Sequence, residues 1–181
     1  LSAKVWRRKQ NLYKKGVTFV AISRWLAERL NRSTLTKGVA YREICNVIDT
    51  ETFCMQDKSA CRKELDIDAN EKVLVFGAAK LNDPIKGAEM LFSAIENSGI
   101  KDDLLLLLFG SIKNDEEFLG RIPCRYKFIG AVTDKSKLVQ IYSAADIVVV
   151  PSHYESLSLV IAEAMACGTP ALAFDSGGQT T

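Results

Sequence analysis

Two glutamates in the last third of the chain, Glu155 and Glu163, stand eight positions apart in a segment that predicts a loop followed by a short helix. A carboxylate accepts two hydrogen bonds at once and therefore suits the vicinal diol of a sugar or a ribose. The backbone N–H groups of Ser156, Leu157 and Ser158 are predicted to open the helix, where unpaired donors and the helix dipole favour a phosphate. The segment thus predicts a site for a ligand that carries both hydroxyl groups and phosphate.

Two apolar strands are predicted to flank this segment. A β-branched run at 147–150 stops at Pro151, and the sequence Gly168-Thr169-Pro170 ends the helix before a second apolar run at 171–174. A strand–loop–helix–strand unit directs the N-terminus of its helix to the carboxyl edge of a parallel sheet. Open α/β folds bind their ligands at that edge, so the two glutamates are predicted to lie where a ligand site is expected.

An alternative for the two acids is a solvated helix that carries carboxylates near its start because of the helix dipole. Glu155 alone fits this alternative. Glu163 has small neighbours, Ala162, Ala164 and Ala166, which predict tight helix packing and partial burial of the acid. A partly buried carboxylate needs a hydrogen-bond partner, and we therefore expect one for Glu163.

Strand and helix patterns alternate along the rest of the chain. Apolar runs predict strands at 17–22, 39–44, 72–77, 104–109 and 126–130, and periodic patterns predict helices at 24–31, 58–65, 87–97 and 135–145. The helix at 87–97 is expected to turn Met90, Leu91, Ala94 and Ile95 inward. Alternation of strands and helices at these lengths predicts the fold class α/β with a doubly wound parallel sheet.

The composition is that of an ordinary globular chain and excludes several classes of protein. Of 181 residues, 48% are hydrophobic and 25% charged, and a net charge of +2 is too small to indicate nucleic-acid binding. The apolar run at 104–109 is too short to span a bilayer. Five cysteines without a CxxC pair and a single histidine indicate reduced thiols in a cytoplasmic protein and no metal site. The chain begins with Leu1 and shows no signal peptide, which suggests a fragment.

The opening of the chain is rich in basic side chains that surround Val5, Trp6 and Leu12. The simpler interpretation is a solvated helical face. The alternative is an amphipathic contact with a partner domain or with an anionic membrane surface, which would make the protein peripheral on a membrane.

The segment from Pro151 to Pro170 resembles the E-x7-E signature of the retaining GT-B glycosyltransferases of family 4, whose tail reads E-A-M-A-x-G-x-P. The tail matches here from Glu163 to Pro170. An S-x-W-L turn at 23–26 and an I-x-N-x-I-D turn at 44–49 extend the resemblance over nearly the whole chain. The resemblance implies the C-terminal half of a GT-B fold, in truncated form.

The resemblance also implies a domain division and a donor site. Residues 1–49 would be the end of the N-terminal domain with the interdomain linker, and residues 50–181 an incomplete, Rossmann-like domain that binds a nucleotide-sugar. Lys80 and Lys86 match the basic pair that grips the donor pyrophosphate. Lys80 stands where the family commonly has arginine and offers a point charge in place of a bidentate fork; the alternative for Lys80 is a loop lysine in solvent. Gly130 matches a segment whose backbone faces the nucleobase.

The reaction implied is transfer of a sugar from a UDP- or GDP-linked donor to an acceptor hydroxyl, with retention of anomeric configuration and without a metal or cofactor. Glu155 would hold donor-sugar hydroxyls, Glu163 the ribose diol, and Lys86 with the amides of 156–158 would offset the charge of the leaving diphosphate. Glu155 and Lys86 are the implied catalytic residues. His153 is a candidate lining residue, and the glycine-bearing loop at 175–178 is expected to let its backbone approach the donor sugar.

The implied partners are a nucleotide-sugar, a saccharide or lipid-linked saccharide acceptor, and the missing N-terminal domain of the same enzyme. By analogy, the setting is capsule or other polysaccharide synthesis at the inner membrane face. The fragment alone is expected to be inactive. Three alternatives are a GT-B sugar-nucleotide epimerase or phosphorylase, a non-catalytic nucleotide-binding module, and a receiver-like signalling domain. Asp102 and Asp103 precede their strand instead of following it, which argues against the receiver.

Overall fold

A computed structural model describes residues 3–13, 15–113 and 115–179 of the chain. The chain divides into two compact units. The larger unit consists of residues 48–154 and 159–174. The smaller unit consists of the residues up to Val47 together with 155–158 and the residues from Asp175 onward. Two short segments late in the chain therefore belong to the same unit as its first elements. The predicted domain boundary between residues 49 and 50 stays a prediction.

The smaller unit contains two short parallel strands, each preceded by a helix. Helix α1 (Ala3–Tyr13) precedes β1 (Phe19–Ala21), and α2 (Arg24–Arg32) precedes β2 (Tyr41–Glu43). Ser23 caps α2, because its side-chain oxygen accepts a hydrogen bond from the N–H of Leu26 at 3.2 Å. Helix α1 has no buried residue. The predicted strands and the predicted helix at 24–31 are present, with shorter strands than the pattern indicated.

A five-stranded parallel sheet forms the centre of the larger unit, as predicted. Its strands are β3 (Lys72–Lys80), β4 (Leu104–Ser111), β5 (Arg125–Gly130), β6 (Ile147–Val150) and β7 (Ala171–Ala173). They lie side by side in the order β5-β4-β3-β6-β7, and every neighbouring pair is parallel. The chain winds outward in one direction from β3 and in the other from β6, which makes the sheet doubly wound.

Helices cover both faces of this sheet. They are α3 (Lys58–Glu64), α4 (Ala88–Asn97), α5 (Asp115–Leu119), α6 (Lys135–Ala144) and α7 (Leu159–Ala166). Successive side chains of a strand point to opposite faces. Leu105 and Leu107 of β4 accordingly join a core with residues of α3, α6 and α7, whereas Leu106 and Leu108 join a second core with residues of α4 and α5. Strand β4 is buried on both faces, as its unbroken apolar run predicts.

Two details of the helix predictions are wrong. Met90 and Ala94 of α4 are exposed, and the buried side of the helix consists of Ala88, Leu91, Phe92 and Ile95. A stripe with spacings of three and four residues is what a helix lying on a sheet can bury, and Met90 and Ala94 fall beside that stripe. Helix α5 is not indicated by the sequence pattern, because five residues are too few to show a period.

The five cysteines all lie within the described residues and are free thiols. Burial raises the pKa of Cys61 and of Cys124, and it raises the pKa of Cys167 to about 11. These three thiols are therefore protonated at neutral pH. Within the described ranges, none of the helices combines the length and the apolar character that crossing a membrane requires.

A charged cluster ties the start of β3 to α3 and to the turn before β6. Asp146 accepts hydrogen bonds from the N–H of Val73 at 2.7 Å, from Lys58 Nζ at 2.5 Å and from Arg62 Nη2 at 2.9 Å. Arg62 is buried and also donates to the carbonyl oxygen of Ala144 at 3.0 Å. Burial opposes the charge of Asp146, yet these donors together lower its pKa.

We expect the substitution Asp146→Ala to lower the free energy of unfolding by about 2–3 kcal/mol, because it removes the carboxylate from a buried arginine and the acceptor from a backbone N–H. The control is Asp103→Ala, which breaks an exposed ion pair with Lys72 at 3.3 Å and should change the stability by less than about 1 kcal/mol. Urea denaturation at pH 7 measures both values.

The same pair of variants should respond differently to pH. A carboxylate with a lowered pKa in the folded state stabilises the fold above its unfolded pKa of about 4, and this contribution is lost as the pH falls through the folded value. The difference between the parent and Asp146→Ala should therefore shrink in acid. Equal losses for the two aspartates at pH 7 would contradict the role assigned to the cluster.

Candidate functional site

The carboxyl ends of the parallel strands bring several predicted site residues to one edge of the larger unit. Lys80 ends β3, Gly130 ends β5, and Pro151 directly follows β6. Lys80 is exposed. Gly130 has a φ of 85°, and no atom lies within 4 Å of the position that a Cβ would take. Its backbone therefore borders open space, as a ligand that contacts the main chain requires.

The loops after β3 and β6 touch where the strand order of the sheet reverses. The N–H of His153 donates to the carbonyl oxygen of Ile85 at 2.8 Å. Gly87, with a φ of 73°, lies so close to Pro151 that a Cβ would collide with the carbonyl oxygen of that proline. The exposed ring of His153 stacks against Phe174, with centroids 6.5 Å apart. Doubly wound sheets bind ligands at this reversal, so the contact fixes the two loops that border it.

Lys86 is the last residue of a 3₁₀ turn, Pro84–Lys86, that lies between β3 and α4. Asp83 begins the turn, because its carboxylate accepts a hydrogen bond from the N–H of Ile85 at 3.0 Å. Gly87 then caps α4 without a side chain that could bond to the first amides of the helix. Lys86 is half-buried and Lys80 is exposed. An ammonium that is less hydrated interacts more strongly with an anion, so Lys86 is the stronger candidate.

Glu163 is half-buried on α7 and has the partner that its surroundings require. The hydroxyl of Tyr142, on α6, donates to Glu163 Oε2 at 2.7 Å. Tyr142 itself is fully buried. The expectation that Glu163 is partly buried and paired is confirmed. Its binding of a ribose stays a prediction.

The electrostatics of this pair follow from burial. Burial raises the pKa of Glu163, although the hydrogen bond from Tyr142 and the charge of Lys135 act in the opposite direction. Burial also raises the pKa of Tyr142, which keeps its proton and remains the donor. Tyr142 is not among the site residues that the sequence predicts. Its place in the predicted helix at 135–145 carries no information about the partner of its hydroxyl.

Residues 155–158 belong to the smaller unit. Glu155 lies in a loop, as predicted, but the prediction that Ser156, Leu157 and Ser158 open the helix is wrong. Helix α7 begins at Leu159, so the amides of Ser156, Leu157 and Ser158 precede it. The carbonyl oxygen of Glu155 accepts a hydrogen bond from the N–H of Gly178 at 2.7 Å, whereas in a helix it would accept one from the N–H of residue 159.

The glycine loop at 175–178 makes this contact possible. A Cβ at Gly177 would collide with the carbonyl oxygen of Glu155, and a Cβ at Gly178 with that of Ser156. The family resemblance implies a loop whose backbone can approach a donor sugar, and this stays a prediction. In the structure, the two glycines allow the loop to approach the backbone of the first glutamate of the E-x7-E segment.

Known proteins resemble the chain in sequence. The sequence model described as glycosyl transferases group 1 matches residues 71–181. A D-inositol 3-phosphate glycosyltransferase of Segniliparus rotundus is 34% identical over 140 residues, which are 72% of this chain and 31% of that protein. The chain thus spans about a third of the length of the curated relatives it matches.

Solved structures resemble the chain over almost its whole length. Sucrose-phosphate synthase from Thermosynechococcus elongatus is 27% identical, with a TM-score of 0.80 over 99% of this chain and 46% of that chain. The Anabaena protein HepE, in complex with UDP, is 25% identical, with a TM-score of 0.75 over 98% of this chain and 50% of that chain. The fold of the chain is therefore that of about half of each of these structures.

The contact between the two loops leads to a prediction for Gly87. We expect Gly87→Ala to destabilise the larger unit by about 1–3 kcal/mol more than Gly99→Ala, because the added methyl group meets a backbone carbonyl that has no room to move. Gly99 is the matched control, since it has a φ of 72° and nothing lies within 4 Å of its Cβ position. Both variants carry the same left-handed strain, and chemical denaturation compares them. Equal losses would mean that the loops are not in tight contact.

The raised pKa of Glu163 leads to a second prediction. A carboxyl group whose folded pKa is raised lowers the stability of the fold as the pH rises from its unfolded value, about 4.3, through the folded value. The amide side chain of Glu163→Gln has no charge to desolvate. Its carbonyl oxygen can still accept a hydrogen bond from the hydroxyl of Tyr142. The variant should therefore become more stable than the parent between pH 4 and pH 7, as thermal unfolding across this range measures.

The exposed residue Glu96 provides the control, because its carboxylate lies at the surface in an ion pair with Lys101 at 2.8 Å. Glu96→Gln should give no gain in stability with rising pH. A stability difference for Glu163→Gln that does not depend on pH would show that the carboxylate is not desolvated.

Proposed function

Because the chain belongs to the group 1 glycosyltransferases, we propose that it carries the nucleotide-sugar donor site of a retaining enzyme that transfers a sugar to an acceptor hydroxyl. The chain spans about a third of its curated relatives and about half of the related structures, so the activity is proposed for the whole enzyme. The chain by itself is proposed to bind the donor nucleotide and not to transfer the sugar.

The observation that carries the proposal is the half-buried carboxylate of Glu163 in a segment with the E-x7-E spacing. Desolvation of a carboxylate has a cost for folding. Tyr142 offsets only part of this cost, because the pKa of Glu163 is still raised. A vicinal diol can donate two hydrogen bonds to a carboxylate and so offset more of it. The ribose of a nucleotide is such a diol.

The basic groups at the carboxyl edge of the sheet suit the diphosphate of the donor. Lys86 lies directly before the cap of α4, so its charge adds to the positive end of the helix dipole. Lys80, at the end of β3, supplies a second ammonium group. In the transfer step these groups stabilise the negative charge that develops on the departing diphosphate. In this proposal neither a metal nor a cofactor takes part.

The remaining roles are proposed from the family resemblance. Glu155 holds hydroxyl groups of the donor sugar, and the exposed backbone at Gly130 faces the nucleobase. The complex of the Anabaena protein HepE with UDP supports a uridine donor. The acceptor, a saccharide or a lipid-linked saccharide, is proposed to bind to another domain of the whole enzyme. Where the acceptor is a lipid, we propose peripheral association at the inner membrane face.

A thermal-shift titration of the chain with UDP, GDP and ADP tests the donor site. Ligand at 100 times its dissociation constant should add about 2.7 kcal/mol to the free energy of unfolding, which is a readily visible shift. We expect one of the three nucleotides to stabilise the parent. The shift should be strongly reduced in Glu163→Ala and in Lys86→Met, whereas Lys101→Met, a surface lysine paired with Glu96, should leave it unchanged.

The outcomes separate the alternatives. No shift with any of the three nucleotides would contradict the proposal. A shift that survives in Glu163→Ala and in Lys86→Met would place the nucleotide elsewhere. The parent chain should not transfer sugar from a radiolabelled donor, and turnover by this chain alone would show that the donor half is sufficient. Binding without turnover, even after the missing domain is restored, would favour a non-catalytic nucleotide-binding module.

A further inference from the structure

We infer that Tyr142 is the positioning residue for Glu163: its hydroxyl holds Oε2 of the carboxylate, which directs Oε1 towards the ribose diol of the donor. This inference rests on the proposed function, because it assumes that Glu163 binds a ribose. It adds a residue of α6 that does not touch the ligand and acts through the glutamate on α7.

The buried hydroxyl of Tyr142 depends on its bond to Glu163. Tyr142 is fully buried, and a buried tyrosine hydroxyl needs an acceptor. The bond to Glu163 Oε2 has a length of 2.7 Å and joins two helices, 21 positions apart in the chain. Bonds to a charged acceptor are about twice as strong as those between neutral groups. The hydrogen bond therefore fixes the orientation of the carboxylate, because the buried hydroxyl of Tyr142 cannot exchange this bond for one to water.

Tyr142 is itself held both at its ring and at its backbone. Its ring packs edge-on against the ring of Phe109, with centroids 5.8 Å apart and an interplanar angle of 81°. Its carbonyl oxygen accepts a hydrogen bond from Thr169 Oγ1 at 2.7 Å. Phe109 in turn occupies the space above Gly77, where a Cβ would collide with its ring. The position of the phenol is thus set by β3, β4 and the residues after α7, and a ligand-binding group gains precision from such support.

The charges around Glu163 fit this role. Lys135 and Tyr142 face it from α6, and Cys167, the residue directly after α7, is a further neighbour. Lys135 is an ammonium group and favours the carboxylate, whereas Cys167 is a protonated thiol at neutral pH because burial raises its pKa. The hydrogen bond from Tyr142 favours the charged form of Glu163 more strongly than Lys135 does. Its removal should therefore raise the pKa of Glu163 further.

The test compares the affinity for a nucleoside diphosphate with that for its 2′,3′-dideoxy analogue, using whichever of UDP, GDP and ADP binds the 181-residue chain. The dissociation constant of the dideoxy analogue divided by that of the diphosphate isolates the contribution of the ribose diol. We expect a large ratio in the parent and a ratio near one in Glu163→Ala. Tyr142→Phe should reduce the ratio about tenfold, the value of one hydrogen bond to a charged group, and should leave binding of the dideoxy analogue unchanged.

Tyr126→Phe is the matched control, because it removes a phenol hydroxyl from an exposed position on β5, and it should leave the ratio as in the parent. A pH series adds a measurement that a purely structural role would not alter. As the pH is lowered, the ribose-dependent part of the affinity should disappear at a higher pH in Tyr142→Phe than in the parent, since the carboxylate of the variant has lost a donor that stabilises its charge.

The outcomes distinguish this inference from the proposed function. If none of the three diphosphates binds the parent, the proposed function fails and the inference fails with it. If the ratio is large in the parent, lost in Glu163→Ala and unchanged in Tyr142→Phe, the donor site stands and the inference is wrong. An equal loss for both ligands in Tyr142→Phe would also overturn it, because it would show a general effect on the fold.

Phe109→Leu keeps the inference testable if Tyr142→Phe does not fold. It leaves the phenol in place and removes the aromatic ring that orients it. We expect a smaller reduction of the same ratio, with the affinity for the dideoxy analogue unchanged. A parent-like ratio in Phe109→Leu would contradict the inference.

Discussion

Parallel pairing of the buried strands is the constraint from which the rest of the larger unit follows. Because β3, β4, β5 and β6 run in the same direction, their carboxyl ends meet at one edge, and every helix must cross a face of the sheet to reach the next strand. Residues that are distant in the chain, such as Lys80 and Gly130, therefore come to the same edge. The location of the site therefore depends first on the direction of the strands and only then on the side chains at their ends.

Burial disfavours the charged form of two carboxyl groups in this fold, those of Asp146 and Glu163. Asp146 accepts three hydrogen bonds from residues of α3 and β3, and its pKa is lowered. Glu163 receives one donor from a side chain, and its pKa is raised. The contrast separates two uses of a carboxylate. The first is a structural tie whose hydrogen bonds are supplied within the fold, and the second is a group whose surroundings favour a further donor.

Glycine allows close approach of the backbone in both units. Gly87 lets the loop after β3 lie against Pro151, and Gly177 and Gly178 let a loop of the smaller unit lie against the carbonyl groups of Glu155 and Ser156. In each case a backbone oxygen occupies the space that a Cβ would need. Helix α7 begins at Leu159, later than the sequence indicates, and the carbonyl group of Glu155 accepts its hydrogen bond from Gly178.

The sequence by itself determined the alternation of strands and helices, the burial of β4 on both faces and the need of Glu163 for a partner. These follow from local patterns, since an apolar run or a row of small residues predicts burial of that segment. Only the tertiary structure decided that the partner is Tyr142, that Met90 faces solvent, and that residues 155–158 are not helical. Each of these depends on which groups lie opposite in space, and hydrogen-bond partners that are 21 or 23 positions apart leave no periodic trace in the chain.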